Sequence, residues 1–457
     1  MVLNTDTSPD IAALPLVPRN PLSVREQVAA IAQCHGGIER LRDTGGKITR
    51  LKLGPKWLFP DIVLVTSAQA ARDVLSASGS WTDVTLFQDE LCALLGPALL
   101  ALRHKKWRPR RRALQPAFTR SQVRAFGGHM AQAAETIAAT WQDAEEIDLE
   151  AECRRLTMRA LGRSILGLDL DEHTEAIDEP LRVVLGYVTQ RATKPIRAPR
   201  WLPTRARRRA VAAKNTLHGL AKAILQACRE DPDRDAPLVH ALMAASDPDT
   251  GRKLSDKEIH AELVVFIYAG HDTTAMALTC TLWALGRYPD IQERVRVEAA
   301  AIGDRELTPD DVSRLGYTIR VIQEALRLCP PTASVARVAT KDIEVAGYRV
   351  EAGTMCSVGI FALQRDREIW DRALEFDPDR FSPENSAGRD RWQYIPFGAG
   401  PRSCIGNHFA MLEATLAVAT IIRSHEIISV SEDFPLIVPY STDPAPPARA
   451  QVKVRTG

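Results

Sequence analysis

Apolar residues between Ser23 and Leu41 recur at three- and four-residue spacing, a period that gathers them on one side of a helix. The period then shortens to two. Ile48 to Lys52 and Asp61 to Val65 alternate and read as paired strands, and Tyr348 to Val350 with Thr354 to Val358 read as a second strand group. Elsewhere the longer period dominates and predicts helices near 101–114, 121–142, 149–167, 172–190, 205–229, 255–288, 290–302, 316–329 and 406–424. A small terminal β-element is expected from Glu426 to Val430 through Pro435 to Val438 and out to Gln451 to Val454, broken by Pro444, Pro446 and Pro447. The fold class is mainly α with a minor β part.

At 457 residues the chain exceeds the length at which a single core usually stops growing. No linker supports a division, since Ser246 to Gly251 and Pro383 to Gly388 are short interruptions without the composition of a tether. The expected organisation is a flexible segment over 1–20 and one large domain over 21–457. Apolar residues make up 45% and charged residues 25%, as in soluble globular proteins. A net charge of +2 gives no electrostatic reason for a nucleic-acid partner. The eight cysteines are scattered without a C-x-x-C pair, which predicts reduced thiols and a cytoplasmic location. The first 22 residues are polar and proline-broken, unlike a signal peptide, and no uninterrupted apolar run reaches the roughly 18 residues of a transmembrane anchor.

Chemistry concentrates at Phe397-Gly398-Ala399-Gly400-Pro401-Arg402-Ser403-Cys404-Ile405-Gly406, a glycine-punctuated loop that presents one thiol before a long apolar helix. Glycines at 398, 400 and 406 allow φ > 0 and close backbone approach to a flat ring. The start of the following helix aims its positive end at the sulfur, and a metal would favour the thiolate further. Such a ligand on haem iron favours O–O cleavage over reversible oxygen storage.

The loop fits F-x-x-G-x-R-x-C-x-G, with Phe409-Ala410 and Glu413 extending the match, and here the chain resembles the cytochrome P-450 family of haem-thiolate monooxygenases. The resemblance implies haem b (iron protoporphyrin IX) with the Cys404 thiolate as axial ligand, held between the long central helix and the cysteine-loop helix of one large helical domain with small sheets. It covers about residues 20–455 and points to the soluble bacterial type.

Other motifs follow in the family's order. Ala269-Gly270-His271-Asp272-Thr273-Thr274 lies inside the predicted 255–288 helix; a glycine and back-bonding threonines loosen a helix there. By resemblance this is the oxygen-activation segment, with Thr273 hydrogen-bonding the oxygen to be cleaved and Asp272 relaying protons. His271 is expected to face away from the iron. Glu324 and Arg327, three apart on one helix face, ordinarily form a weak surface pair, but in the family they join a later arginine, here Arg380, in a structural network bracing the cysteine loop. Trp107 and Arg111 resemble the family's W-x-x-x-R pair for the haem propionates, with His104 and Arg108 as the other register. Arg337 and Arg402 are further propionate partners, and Phe397 and Gly406 complete the cofactor-binding set.

Arg108, Arg110, Arg111 and Arg112 form a basic helix whose outward members, Arg108, Arg110 and Arg112, are expected to receive an acidic electron donor. A ferredoxin or flavodoxin with its reductase would fill that role, because no flavin- or iron–sulfur-binding segment remains outside the haem domain. A second basic tract over 191–214 could touch a membrane surface weakly. Pocket walls are expected over 79–94, 263–273, 332–336 and 440–442, with Phe87, Phe266, Ala269 and Val335 as candidates. The expected function is insertion of one atom of dioxygen into a hydrophobic small molecule such as a fatty acid, terpene or sterol. A peroxygenase or isomerase on the same scaffold and a non-catalytic haem-thiolate sensor are the alternatives.

Overall fold

A computed structural model describes residues 11–33, 35–168, 174–431, 436–437, 443–444 and 447–455. In chain order the helices are α1 Val24–Gln33, α2 His35–Gly45, α3 Ala68–Ser76, α4 Leu86–Leu95, α5 His104–Leu114, α6 Arg120–Arg124, α7 Gly127–Ala138, α8 Leu149–Leu161 and α9 Thr174–Thr193. They continue as α10 Arg205–Glu230, α11 Pro237–Ala244, α12 Asp256–Arg287, α13 Pro289–Ala300, α14 Gly316–Leu328, α15 Ile360–Gln364, α16 Pro383–Ser386 and α17 Asn407–Ser424.

The predicted 121–142 helix is divided into α6 and α7. A Cβ at Gly127 would lie 2.1 Å from Pro309 Cγ, so the second piece can start there only because that residue is glycine. Helix α8 widens into a π-turn over Gly162–Leu166, closed by Gly167 at φ +64°.

Strands β1 Ile48–Leu51 and β2 Ile62–Val65 pair antiparallel, as the alternation predicts. The second expected strand group is corrected. Tyr348–Val350 (β7) pairs with β6 Ile343–Val345, whereas β8 Met355–Val358 lies parallel to β2 and antiparallel to β5 Val335–Ala339. With β3 Thr82–Asp83 the main sheet runs β1-β2-β8-β5-β3. Strand β4 Glu146–Asp148 and β9 His425–Ser429 flank the last strand, β12 Arg449–Val454, and β10 Leu436–Ile437 pairs with β11 Asp443–Pro444. Residues 11–20 run beside β1 and β7: Asn20 N donates to Arg50 O at 2.9 Å, Arg349 N donates to Pro15 O at 2.8 Å, and Val17 is buried. Residues 1–10, Cys34 and the 440–442 pocket wall lie outside the described residues.

Two apolar cores meet along α12. Its first half, including Leu263 to Ile267, packs with α4, α9 and α10, and its second half, from Ala275 to Leu285, packs with α14 and α17. Between them Tyr268, Gly270 and Thr273 are half-buried and Ala269 is exposed, in an otherwise buried stretch of helix. Helix α12 is long and apolar enough to span a membrane, and most of it lies inside the fold.

Candidate haem site

Cys404 stands at the end of a loop whose turns are set by Gly398 at φ +66° and Gly400 at φ +73°. A Cβ at Gly400 would lie 2.4 Å from Leu75 O, so the loop seats against α3 only without a side chain. Gly406 differs from expectation: its φ is −92°, an ordinary value, and it serves as the N-cap of α17. A Cβ at Gly398 or Gly406 would meet no protein atom within 4 Å, so each presents bare backbone to open space.

The Cys404 backbone N–H donates to Phe397 O at 2.9 Å, closing the loop, and the Gly406 N–H donates to the Cys404 sulfur. Burial pushes the thiol up, and the Gly406 hydrogen bond and the Arg111 charge lower it only in part. A bound metal would favour the thiolate form. Cys404 is nevertheless exposed by surface area. Both facts hold for a side chain that protein surrounds on most sides while part of its surface stays accessible.

Around the loop the cations divide. Arg111 Nη1 donates to Ser403 O at 3.0 Å, directly behind Cys404. Trp107 lies beneath the Arg402 guanidinium, 4.7 Å from its ring centroid, with the His104 ring 5.6 Å away. His104 thus joins Trp107 and not Arg108, which is exposed. Burial pushes Arg402 down to about 10, and the neighbouring Arg337 charge adds to the effect. Arg337 is itself buried, with its Nε unpartnered, as are Arg402 Nε and His104 Nδ1. Asp83, 3.5 Å from Arg402, is the carboxylate at this cluster. Two buried guanidiniums against one carboxylate leave positive charge in need of an anion.

Glu324, Arg327 and Arg380 come together. Arg327 donates in two parallel bonds to Glu324, at 2.7 and 2.8 Å, both side chains being fully buried, and Arg380 Nε lies 3.3 Å from Glu324 Oε1. The remaining Arg327 donors reach the carbonyls of Gln364, Ala373 and Glu375, and Gln364 Oε1 accepts from Ile395 N just before the cysteine loop.

On α12, Thr273 Oγ1 donates to Ala269 O at 2.9 Å, and the helix runs continuously through this segment without the expected loosening. Asp272 is buried and accepts from Arg154 Nη1 at 2.6 Å; Arg154 also donates to Glu150 at the start of α8. His271 is buried too, between Thr157 and Asp178. Among the pocket candidates, Phe87 and Val335 are half-buried and Ala269 is exposed. Phe266 is buried in a stack with Phe118, ring centroids 5.3 Å apart.

The basic helix is corrected as well. Arg110 points inward, donating to Glu262 at 2.6 Å and Glu258 at 2.5 Å, while Arg112 pairs with Asp249. Sequence reading missed Glu262, whose two oxygens also accept from Leu99 N. An acid among the apolar residues Ala261 to Ile267 was the available signal.

Residues 22–450 match the family model Cytochrome P450. The chain is 32% identical over 379 residues to cyclooctatin synthase of Streptomyces melanosporofaciens, covering 82% of each chain, and 30% identical over 384 residues to pentalenene oxygenase of Streptomyces avermitilis, covering 84% of each. It is 30% identical over 403 residues to leukotriene-B4 omega-hydroxylase 3 of Mus musculus, covering 80% of this chain and 76% of the other. The chain belongs to the cytochrome P450 family. It is a monooxygenase whose cofactor is haem with a cysteine thiolate as axial ligand, and its reaction draws on dioxygen, a hydrophobic substrate and a redox partner.

The residues present fit that cofactor. A planar ring finds bare backbone at Gly398 and Gly406. The unpartnered Arg337 Nε and Arg402 Nε would suit its two carboxylates, and its metal would favour the Cys404 thiolate.

Proposed function

We propose that Cys404 is the axial ligand and that this enzyme hydroxylates a terpene-type substrate in a chamber beside Ala269, within one domain over 21–457. The observation that carries this reading is Cys404, closed in by protein yet accessible at the end of its glycine loop. The relatives named pentalenene oxygenase and cyclooctatin synthase support the substrate class; the leukotriene-B4 relative makes a fatty acid the competing outcome.

Bound haem supplies the activation of dioxygen. The protein's residues position and protonate. Arg337, Arg402, His104 and Trp107 hold the propionate side, and Arg111 steadies the carbonyl before Cys404. Because the Thr273 proton lies on the Ala269 carbonyl, the hydroxyl turns lone pairs toward the notch and accepts a hydrogen bond from a protonated oxygen there. Asp272, linked through Arg154 to Glu150, relays protons from solvent. Half-buried Phe87 and Val335 give the chamber apolar walls.

The redox partner, a ferredoxin or flavodoxin, docks at the exposed Lys105, Lys106 and Arg108. In the 191–214 tract Arg191 and Arg200 pair with Glu90, and exposed Arg197 and Arg208, together with exposed Ile196 and Trp201, are left for weak contact with an anionic membrane; flotation with anionic vesicles checks it. The substrate test is displacement of iron-bound water across a panel of terpenes and fatty acids, followed by turnover under labelled dioxygen. One labelled oxygen in a terpene product supports the proposal, and selective turnover of fatty acids overturns the substrate class.

A further inference from the structure

Three cysteines outside the haem site meet where α8, α12 and α14 converge. Cys153 on α8 and Cys280 on α12 are buried, and half-buried Cys329, the residue that ends α14, packs against the same apolar core. The Cys280 thiol is hydrogen-bonded to the Cys329 thiol, and Cys153 stands close enough to add to its electrostatic surroundings. Cys153 has its own partner, the Thr279 hydroxyl. Cys92 and Cys228 belong to the other core along α12, and Cys356 lies in the core of the main sheet.

Both thiols of the pair stand on fixed backbone. Cys280 lies within the continuous helix α12, and Cys329 is held by its N–H, which donates to Ala325 O at 2.8 Å, at a point where Pro330 and Pro331 stop any further turn of α14. The two differ in access. Cys329 keeps surface that a small oxidant reaches, whereas Cys280 is 4% exposed. Burial and then the neighbouring thiols push Cys280 well above the ordinary thiol range, so by itself it is a poor nucleophile and a poor target. Its reactivity rests on the sulfur beside it.

We propose that Cys280 and Cys329 are a thiol pair that a hydroperoxide converts into a disulfide, fastening the second half of α12 to the end of α14. The oxidant is hydrogen peroxide, which a monooxygenase forms when reductant and dioxygen are consumed without product. Cys329 sulfur attacks one peroxide oxygen, the O–O bond breaks, and water leaves, so that the sulfur is oxidised to a sulfenic acid as the peroxide is reduced. Cys280 sulfur then attacks the sulfenic sulfur. The S–O bond breaks as the S–S bond forms, and the hydroxyl departs with the Cys280 proton as a second water. Cys329 follows Arg327 by two residues, and Cys280 lies about 12 Å along α12 from Asp272. The bond would therefore tie the helix that carries Thr273 to the one that carries the Glu324–Arg327 network, and it closes a chain loop of about 50 residues.

The test uses the haem-loaded full chain, treated with graded hydrogen peroxide, blocked with iodoacetamide and mapped by mass spectrometry without reduction. The expected map joins the Cys280 and Cys329 peptides with the loss of two hydrogens, and dithiothreitol separates them again. Protein linked by diamide, which oxidises thiols without peroxide, should melt about 5 °C above the reduced form. In Cys280→Ser the sulfenic acid of Cys329 should persist and be trapped by dimedone, and in Cys329→Ser peroxide should leave Cys280 a free thiol. A link from Cys280 to Cys153, two or three oxygens on Cys329 without a link, or both thiols still free once peroxide has bleached the haem overturns the proposal. A linked protein that melts no higher overturns the fastening of α12 to α14. Should a variant fail to load haem, the wild-type map still decides.

Discussion

Thr273 and Asp272 are neighbours in sequence with opposite surroundings. The first is half-buried at the notch and bonded only to its own helix; the second is buried and tied to α8 through Arg154. Removing the hydroxyl should leave haem binding intact and misdirect electrons, so Thr273→Ala is expected to consume reductant at a near-normal rate and release hydrogen peroxide in place of product. Asp272→Asn should slow proton delivery, and with it product formation, by about a hundredfold, in the range of a lost proton-transfer group. Parallel measurement of reductant, peroxide and product checks both, and wild-type coupling in both variants would remove these residues from proton delivery.

At the scale of elements, the bracing of the cysteine loop depends on one carboxylate. Glu324 accepts from Arg327 and from Asp377 N and lies beside Arg380. Deleting it strands two buried guanidiniums, a loss of about 3–5 kcal/mol. Glu324→Ala should therefore take up little haem and melt well below the wild type; a stable, fully loaded variant would mark the pair as dispensable. This network was legible because all three residues stand in short motifs. The inward turn of Arg110 was not, because Glu258 and Glu262 lie about 150 positions away and nothing near Arg110 announces them. The second strand group failed for a related reason. Alternation identifies Tyr348–Val350 and Met355–Val358 as strands, but their partners are set by the turn at Ala346-Gly347, which folds β7 back on β6, and by the distant β2, which takes β8. Helices α3 and α4 are too short for their period to stand out, although Thr85 and Gln88 form a capping box at the start of α4.

Across the whole molecule, two acids that share Arg110 titrate in opposite directions. Burial pushes Glu262 up to about 7, with Arg110 opposing it, whereas Glu258 is lowered to about 2, chiefly by its hydrogen bond from Arg252. The folded Glu262 keeps its proton to higher pH than the unfolded chain, so its contribution is full below the ordinary glutamate value of 4.5 and is lost as pH rises toward about 7. Glu258 contributes above 4.5, and its share is lost as pH falls through about 2. Chemical denaturation of Glu262→Gln should accordingly show a flatter stability profile between those upper limits, by on the order of 1–3 kcal/mol; an unchanged profile would mean that Arg110 holds Glu262 ionised throughout. The proposed electron-donor face is exposed at Lys105, Lys106 and Arg108. Reversing Lys105 and Arg108 to Glu should slow reduction by an acidic ferredoxin and flatten its dependence on salt, while peroxide-driven turnover stays near wild type. Equal loss of both activities would mean that these residues support the haem itself. The central claim is that Cys404 places a thiolate on haem iron, and the direct measurement is the absorbance of the reduced, carbon-monoxide-bound protein. The wild type should give the spectrum of a thiolate-ligated haem, and Cys404→Ser and Cys404→His should lose it; the same spectrum in either variant at full haem occupancy would contradict the account.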